Sequence, residues 1–445
     1  MTQYPSRRKI GVRKVEVQDL RHVIVHRDEN MYLYATNRGG IWNFGDGEIA
    51  VAYLALPMNY EAIEEGANQT WSRHCGGPRR MWGQHERWGS ESGAIISRSF
   101  DNGETWPDNE RQWIWNNDRT TEEILDWLRP VDPRERDQID LGDPDSIIHF
   151  CHGDYLKFPI GRVGKEPGSF DLGRRHHAPS FALRSKDRGR TWENHATLID
   201  NPSWAPDGGY LSVNLGHVRF DNGVLGIVGG VYRRNSQCYY VSYNNGASWS
   251  FLSEVARVNS NISQVGGGDE NVGYNYSGVH KLPDGRLMCL MHQHPPEMPC
   301  VAFSEDDGVT WSKPQFVVGP GTHYGNMSDP EPPRALYDLE YSRQRSPAAL
   351  VTRDGRIIVL FARRTASLGC RGICGVVSDD LGETWSEEFV VRGDGYSYDL
   401  GYEVLTELPD GRIFTAYWFV AKEGEDPIPE PQCVRHIAGS SFRLS

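Results

Sequence analysis

Ser304-Glu-Asp306-Asp-Gly308-Val-Thr310-Trp311 is one of five near-copies of a short pattern that decides the architecture. The others are Ser99-Phe-Asp101-Asn-Gly103-Glu-Thr105-Trp106, Ser185-Lys-Asp187-Arg-Gly189-Arg-Thr191-Trp192, the degenerate Ser242-Tyr-Asn244-Asn-Gly246-Ala-Ser248-Trp249, and Ser378-Asp-Asp380-Leu-Gly382-Glu-Thr384-Trp385. The pattern reads as a hairpin turn: the Asp or Asn oxygen caps backbone N–H groups, the Gly takes positive φ, and the Trp packs beneath. Five accidental Asp-x-Gly turns would not all end in Trp.

A second signal keeps step. Apolar strands flank Asp46-Gly47, Asn222-Gly223, Asp284-Gly285, Asp354-Gly355 and Asp410-Gly411, and a variant is expected near Gly153-Asp154. In three units this turn precedes the serine of the pattern by 20, 20 and 24 residues, from 222 to 242, 284 to 304 and 354 to 378. That leaves room for a strand, a loop and a strand, so each unit is a four-stranded antiparallel meander of runs such as Arg356-Ile-Ile-Val-Leu-Phe361. Six units predict an all-β chain, a six-bladed β-propeller with seven blades as the alternative. Val23-Ile24-Val25-His26 is expected to supply the strand that closes the ring. The whole of 1–445 is read as one propeller domain, with an insertion at about 55–93 in the first blade and another at about 107–141.

Composition narrows the partners. Lys+Arg number 47 against 60 Asp+Glu, a net charge of −13, which excludes a surface built to collect phosphates from nucleic acid or an anionic membrane. No apolar run reaches the roughly 18 residues that span a bilayer. The segment 1–14 is basic without a following apolar stretch, so a cytoplasmic location is expected, or a secreted one if a leader has been lost. The eight cysteines form neither a disulfide framework nor a zinc spacing and read as buried free thiols. Without an export signal the sequons at Asn68, Asn261, Asn275 and Asn326 carry little weight.

The five repeats resemble the Asp boxes of the sialidase superfamily, a likeness that runs from about Gly39 to Leu444. It implies that the boxes lie on the outer rim, away from chemistry, and that function sits at the other end of the blades. Counting back eight residues from each Asp-Gly gives Arg38, Asn214, Tyr276, Ser346 and Tyr402, with Arg345 one step earlier and Asp143 or Asp145 in the irregular second blade. These positions should converge on one mouth of the central channel. Gly401-Tyr402-Glu-Val-Leu-Thr-Glu-Leu-Pro-Asp410-Gly411 looks like the strand that carries the sialidase tyrosine, which makes Tyr402 the candidate nucleophile. A phenol needs a base or a positive charge to lower its pKa of about 10.

The same resemblance implies three arginines around a sugar carboxylate, because guanidinium groups pair bidentately with carboxylates. Arg38 and Arg345 fill two places. Arg233, Arg234, Arg363 and Arg364 are loose options for the third. The family glutamate would fall near Asn275, where no carboxylate stands. The loop 68–93 carries Arg73, His74, Trp82, His85, Glu86, Arg87, Trp88 and Glu91. Glu91 is the first choice for a general acid and Glu86 the second, since Trp82 and Trp88 would raise a carboxyl pKa and stack on sugar.

The leading expectation is therefore an exo-acting, sialidase-like glycoside hydrolase removing a terminal acidic sugar. Tyr402, Glu91, Arg38 and Arg345 would be catalytic, and Asn214, Tyr276, His74, His85, Arg87 and Trp88 would contact substrate. A lyase cleaving a terminal uronate by β-elimination through His or Tyr is the second expectation, and a non-catalytic glycan-binding propeller the third. No cofactor is expected; His176-His177 and His292-x-His294 lack a third metal ligand, and Gly266-Gly-Gly-Asp269-Glu270 is a weak Ca²⁺ candidate.

Overall fold

The computed structural model describes residues 10–36, 40–58, 91–156, 160–163, 170–172, 180–200, 202, 211–214, 216–231, 236–257, 273–294, 298–318, 343–364, 371–395, 400–420 and 434–445. Small antiparallel sheets stand in a ring of six blades, not seven. With β1 (Val17–His26) set aside, the first blade holds β2 (Met31–Tyr34) and β3 (Gly40–Asn43) paired to β4 (Ile49–Pro57), then β5 (Gly93–Ser99) and β6 (Gln112–Asn116). The second has β7 (Ile147–His152), β10 (Ser180–Ser185) and β11 (Thr197–Ile199), three strands among the described residues. Between β7 and β10 run the paired strands β8 (Ile160–Val163) and β9 (Phe170–Leu172).

The third blade has β12 (Leu211–Val213), β13 (Val218–Arg219), β14 (Leu225–Val231), β15 (Ser236–Ser242) and β16 (Ser250–Arg257). The fourth has β17 (Gly273–Lys281), β18 (Leu287–His294), β19 (Met298–Ser304) and β20 (Gln315–Phe316). The fifth has β21 (Arg343–Val351), β22 (Ile357–Arg364), β23 (Gly372–Ser378) and β24 (Phe389–Arg392). The sixth has β25 (Gly401–Glu407), β26 (Ile413–Phe419) and β27 (His436–Leu444), and β1 adds to β27 as its outer strand. The ring closes where β25 lies against β3.

The middle strands are apolar without alternation because both of their faces are covered by neighbouring blades. Ile357 to Phe361 is at most 1 % exposed throughout. The core accordingly sits between blades: one apolar cluster joins the sixth, first and second, and another the third, fourth and fifth.

The repeated turns follow one hydrogen-bond plan. Ser99 Oγ donates to Asp101 Oδ1 (2.7 Å) and accepts from Gly103 N (2.9 Å), while Asp101 accepts from Thr105 N (2.8 Å) and Thr105 Oγ1 (2.6 Å). The turns at Asp187, Asp306 and Asp380 repeat it, and at Asn244 the amide Oδ1 accepts from Ser248 N (2.9 Å) while Nδ2 donates to Ser248 Oγ (2.9 Å), reversing the second bond. Each turn also touches the blade before it. A Cβ on Gly103 would come within 2.7 Å of Phe414, and one on Gly308 within 2.4 Å of Tyr239. Glycine is therefore required there for space as well as for its φ of +86° and +89°.

Two sequence readings are corrected. The second blade's counterpart of the Asp-Gly turn is Asp143 to Ser146, where Ser146 N donates to Asp143 O (3.0 Å) immediately before β7. Gly153-Asp154 lies at the far end of β7 in a 3-10 turn. Asp145 consequently sits at the repeat-turn end, ion-paired with Arg188 (2.6 Å), and not at the opposite mouth.

The stretch 107–141 contains β6, the outer strand of the first blade, and then helix α1 (Thr121–Leu128). A capping box between Thr120 and Glu123 starts α1, and its buried Trp127 packs on Phe181 at 5.2 Å. The other insertion lies between β4 and β5, and its residues 59–90 are outside the described residues. Cys151, Cys238, Cys289, Cys300 and Cys374 are buried free thiols. Among the described residues no helix is long and apolar enough to cross a membrane.

Candidate active site

The inner strands of the fourth, fifth and sixth blades break in the same way at corresponding places. The ladder of β17 skips between Asn275 and Gly278, that of β21 between Arg345 and Ala348, and that of β25 between Gly401 and Val404. Inside each bulge one residue has left-handed backbone: Tyr276 at φ +49°, Ser346 at +54° and Tyr402 at +59°. These are three of the positions reached by counting back from Asp-Gly. Left-handed backbone is unfavourable for tyrosine and serine, and its recurrence marks a place where the fold spends stability on aiming side chains.

Tyr402 and Tyr276 meet across the channel. Their hydroxyl oxygens are 2.9 Å apart and their rings pack edge to face at 5.2 Å. Tyr402 also packs edge to face on Trp418 at 4.8 Å, and the Thr36 hydroxyl donates to the Tyr402 carbonyl, pinning the bulge to the first blade. The aromatic surface continues to both sides. Tyr276 lies 5.7 Å from the His292 ring. Trp418 lies 5.5 Å from Tyr34, which meets Tyr155 at 6.3 Å, and Tyr155 stacks on His152 at 5.3 Å. Rings from the fourth, sixth, first and second blades thus form one continuous wall.

At the third blade this wall meets a polar cluster. Ser212 Oγ lies 2.9 Å from His152 Nε2 and 3.1 Å from Asn214 Nδ2, and Asn214 is 2 % exposed with Oδ1 unpartnered.

Behind Tyr402 lie groups that the sequence reading did not select. Glu403 is fully buried, and neither carboxyl oxygen makes a hydrogen bond of good geometry. Burial pushes its carboxyl up to about 8, against the opposing pull of its own backbone N–H and then of the Arg364 charge. Arg435 is fully buried between Tyr32 and Trp418, with its guanidinium 4.5 Å and 4.1 Å from the ring centres, and donates to the Tyr32 hydroxyl at 2.5 Å. A basic residue at the head of β27 offered no sequence signal for this role, whereas His292 was visible only as half of a His-x-His pair.

The remaining candidates fall in different places. Glu91 is exposed one residue before the buried Ser92, at the head of β5. The backbone of Arg345 pairs with Ala362 at the edge of the β21 bulge. Neither loose option of the fifth blade is an open carboxylate clamp: Arg363 is ion-paired with Glu388, and Arg364 is 3 % exposed and donates to the Leu400 carbonyl (2.8 Å). Arg38, His74, His85, Glu86, Arg87, Trp88, Arg233 and Arg234 lie outside the described residues. So do Asp269, Glu270, His176 and His177. Among the described residues no cluster of three metal-ligating side chains occurs.

Deeper in the channel a cavity of about 230 Å³ is lined from all six blades, by Trp42, Phe150, His217, His280, Ala348 and Val404 among others. It does not include the tyrosines. Burial lowers the pKa of both His217 and His280 to about 4, helped at His217 by the Arg219 charge, so both imidazoles are neutral at physiological pH.

Comparison with known proteins adds the fold relationship. No family model and no curated protein matches the chain. Among solved structures, a protein of unknown function from Dyadobacter fermentans matches with TM-score 0.61 and 20 % identity over 97 % of this chain and 99 % of that one. The NanB sialidase of Streptococcus pneumoniae matches with TM-score 0.53 and 13 % identity over 95 % of this chain and 70 % of its own. The Hadza microbial sialidase Hz136 matches with TM-score 0.52 and 14 % identity over 93 % of this chain and 65 % of its own. The chain therefore has the fold of a sialidase-like six-bladed propeller.

Proposed function

We propose that the chain is an exo-acting glycoside hydrolase that removes a terminal acidic sugar, with Tyr402 as the attacking group. The observation that carries this reading is the hydroxyl pair of Tyr402 and Tyr276, held by two left-handed bulges at the mouth of a sialidase-like propeller. A neutral phenol suits an anionic sugar, because a carboxylate nucleophile would repel the substrate charge. In the reaction Tyr402 Oη bonds to the anomeric carbon as the glycosidic C–O bond breaks. The phenolic proton passes to the Tyr276 oxygen, which releases its own to water. Glu91 protonates the leaving oxygen; water then adds to the anomeric carbon as the tyrosyl C–O bond breaks, giving its proton to the Glu91 carboxylate, and the freed Tyr402 oxygen recovers a proton from the Tyr276 hydroxyl, which takes one from water. Arg38 and Arg345 hold the sugar carboxylate, while Asn214, His74, His85, Arg87 and Trp88 contact the ring. A screen of activated aryl glycosides of acidic and neutral sugars, read by mass, tests this. Sugar plus one water is expected, with turnover lost by at least about 100-fold in Tyr402→Phe. Full activity of Tyr402→Phe overturns it.

The Tyr402, Tyr276 and His292 set favours a second reading, elimination on a terminal uronate. Here one group removes the proton α to the carboxylate and another protonates the leaving oxygen. An unsaturated product with new ultraviolet absorbance identifies this route, and saturable binding without product would make the protein a glycan binder.

A further inference from the structure

Glu403 follows Tyr402 directly, inside the same bulge between Gly401 and Val404, so the two residues leave the β25 ladder together. Its carboxyl is sealed. A Cβ on Gly401 would come within 2.4 Å of the Ala362 Cβ and 3.1 Å of Glu403 Oε1, so the backbone there packs against the fifth blade without space for water. Among the described residues two titratable groups are coupled to it electrostatically, Arg364 and Cys374. β22 presents Arg364, whose guanidinium sits 5.8 Å from the Tyr402 ring centre and donates to the Leu400 carbonyl through Nε and Nη2. β23 presents the buried Cys374 thiol. On β26 the Tyr417 hydroxyl is bonded to Ser440 (2.5 Å), and β3 carries no titratable side chain. Arg343 and Arg345 belong to the adjoining β21, and their side chains lie outside the described residues.

A buried carboxylate without a hydrogen-bonding partner on another residue is among the costliest groups to bury, and the usual outcome is that it keeps its proton. A neutral carboxylic acid one residue along the chain from the attacking phenol is thus built into the bulge, and Arg364 is both near the Tyr402 ring and electrostatically coupled to Glu403. We propose that Glu403 is a positioning residue that governs Tyr402 by its own charge: as a neutral acid it lets the phenol become negative, and as a carboxylate it opposes that. The proposal rests on the reading of Tyr402 as the attacking group. Ionisation of Glu403 as pH rises through about 8 then adds a negative charge within the bulge that carries the nucleophile and closes the alkaline side of the activity profile.

The test uses two readouts that need no substrate. Tyrosinate absorbance of the full-length protein minus that of Tyr402→Phe gives the ionisation midpoint of Tyr402, and the same difference is taken in a Glu403→Gln background. The midpoint is expected to fall by about one unit or more in Glu403→Gln, because the opposing carboxylate is gone. Equal midpoints overturn the proposal. Infrared spectra of the unsubstituted protein provide the check that does not depend on a variant folding. A carbonyl stretch of a protonated carboxylic acid is expected at neutral pH and should vanish as pH passes about 8; its absence at neutral pH overturns the proposal. Where a glycoside is turned over, the alkaline limb of kcat/KM should move up in Glu403→Gln, and an unmoved limb counts against Glu403. If no glycoside is turned over, the hydrolase reading fails while the absorbance and infrared results still decide the role of Glu403.

Discussion

Tyr402 and Tyr276 show what a left-handed residue in a strand accomplishes. In a regular strand successive side chains alternate between the two faces of a blade, and in a propeller those faces point at the neighbouring blades. The bulge turns each tyrosine out of its ladder, and the hydroxyls meet at 2.9 Å. Removing one oxygen from the pair, in Tyr276→Phe, should lower kcat about 10- to 100-fold with a small change in KM, since a hydrogen bond to a charged group is worth about 1.5–3 kcal/mol. Steady-state kinetics on the substrate found in the screen measure this, and an unchanged kcat would remove Tyr276 from the chemistry. The positions of both tyrosines were legible because the Asp-Gly turn fixes the register of the strand before it. Glu403 was not. By strict alternation it faces away from Tyr402 into the body of a blade, and the bulge that carries both residues shows only in the ladder.

At the scale of elements, the repeat turns were legible in every copy because their side chains bond within the turn itself, so no distant partner has to be known. Their contacts with the preceding blade were not legible, since they join residues far apart in sequence such as Gly103 and Phe414. Gly308→Ala tests whether these contacts carry stability. Its Cβ would lie 2.4 Å from the buried Tyr239 ring at a φ of +89°, which combines overpacking with backbone strain. A loss of about 2–4 kcal/mol is expected in urea unfolding. A loss below about 0.5 kcal/mol would show that the turn relaxes freely. The second blade shows why Asp-Gly misplaces one register: Asp143 to Ser146 performs the turn without an Asp-Gly pair, whereas Gly153-Asp154 lies at the other end of β7.

Imidazoles held neutral within the ring set how it answers to acid. His26 is 6 % exposed, with Nδ1 2.8 Å from the Tyr53 hydroxyl, and burial followed by the Arg111 charge brings its pKa to about 4. His217 and His280 reach the same value inside the channel. Because the folded pKa lies below the unfolded value of about 6.5, the unfolded chain takes up protons first as pH falls. The stabilisation is complete above about pH 6.5 and is lost as pH falls to about 4. For His26 alone the loss is on the order of 3 kcal/mol. Glu403 works in the opposite sense, its stabilisation being lost as pH rises from about 4.5 to about 8, so it offsets part of the histidine term only above about pH 4.5. Urea unfolding across this range should show a net fall in stability from pH 6.5 to 4, and a flat profile would mean these histidines are hydrated. The segment 59–90 between β4 and β5 holds most of the remaining candidates, and its irregular composition, unlike the repeats, carries no periodicity from which a position could be read.

The pairing of β1 with β27 also has a mechanical meaning. Val17 pairs with Leu444 and His26 with Ile437, so the two strands leave the sheet at the same end. Tension applied through residues 17 and 444 would load the hydrogen bonds one after another, as a zipper is opened, and not all together in shear. Pulled in this direction the ring should open at low force, β1 peeling away first and a longer release from the remaining blades following. Attachment points at the two ends of β26, which is flanked by β25 and β27, should require markedly higher force in an optical trap. Similar forces in the two geometries would mean that packing of β1 against the fifth blade, through contacts such as that between β1 and β24, holds the clasp more firmly than its ladder does.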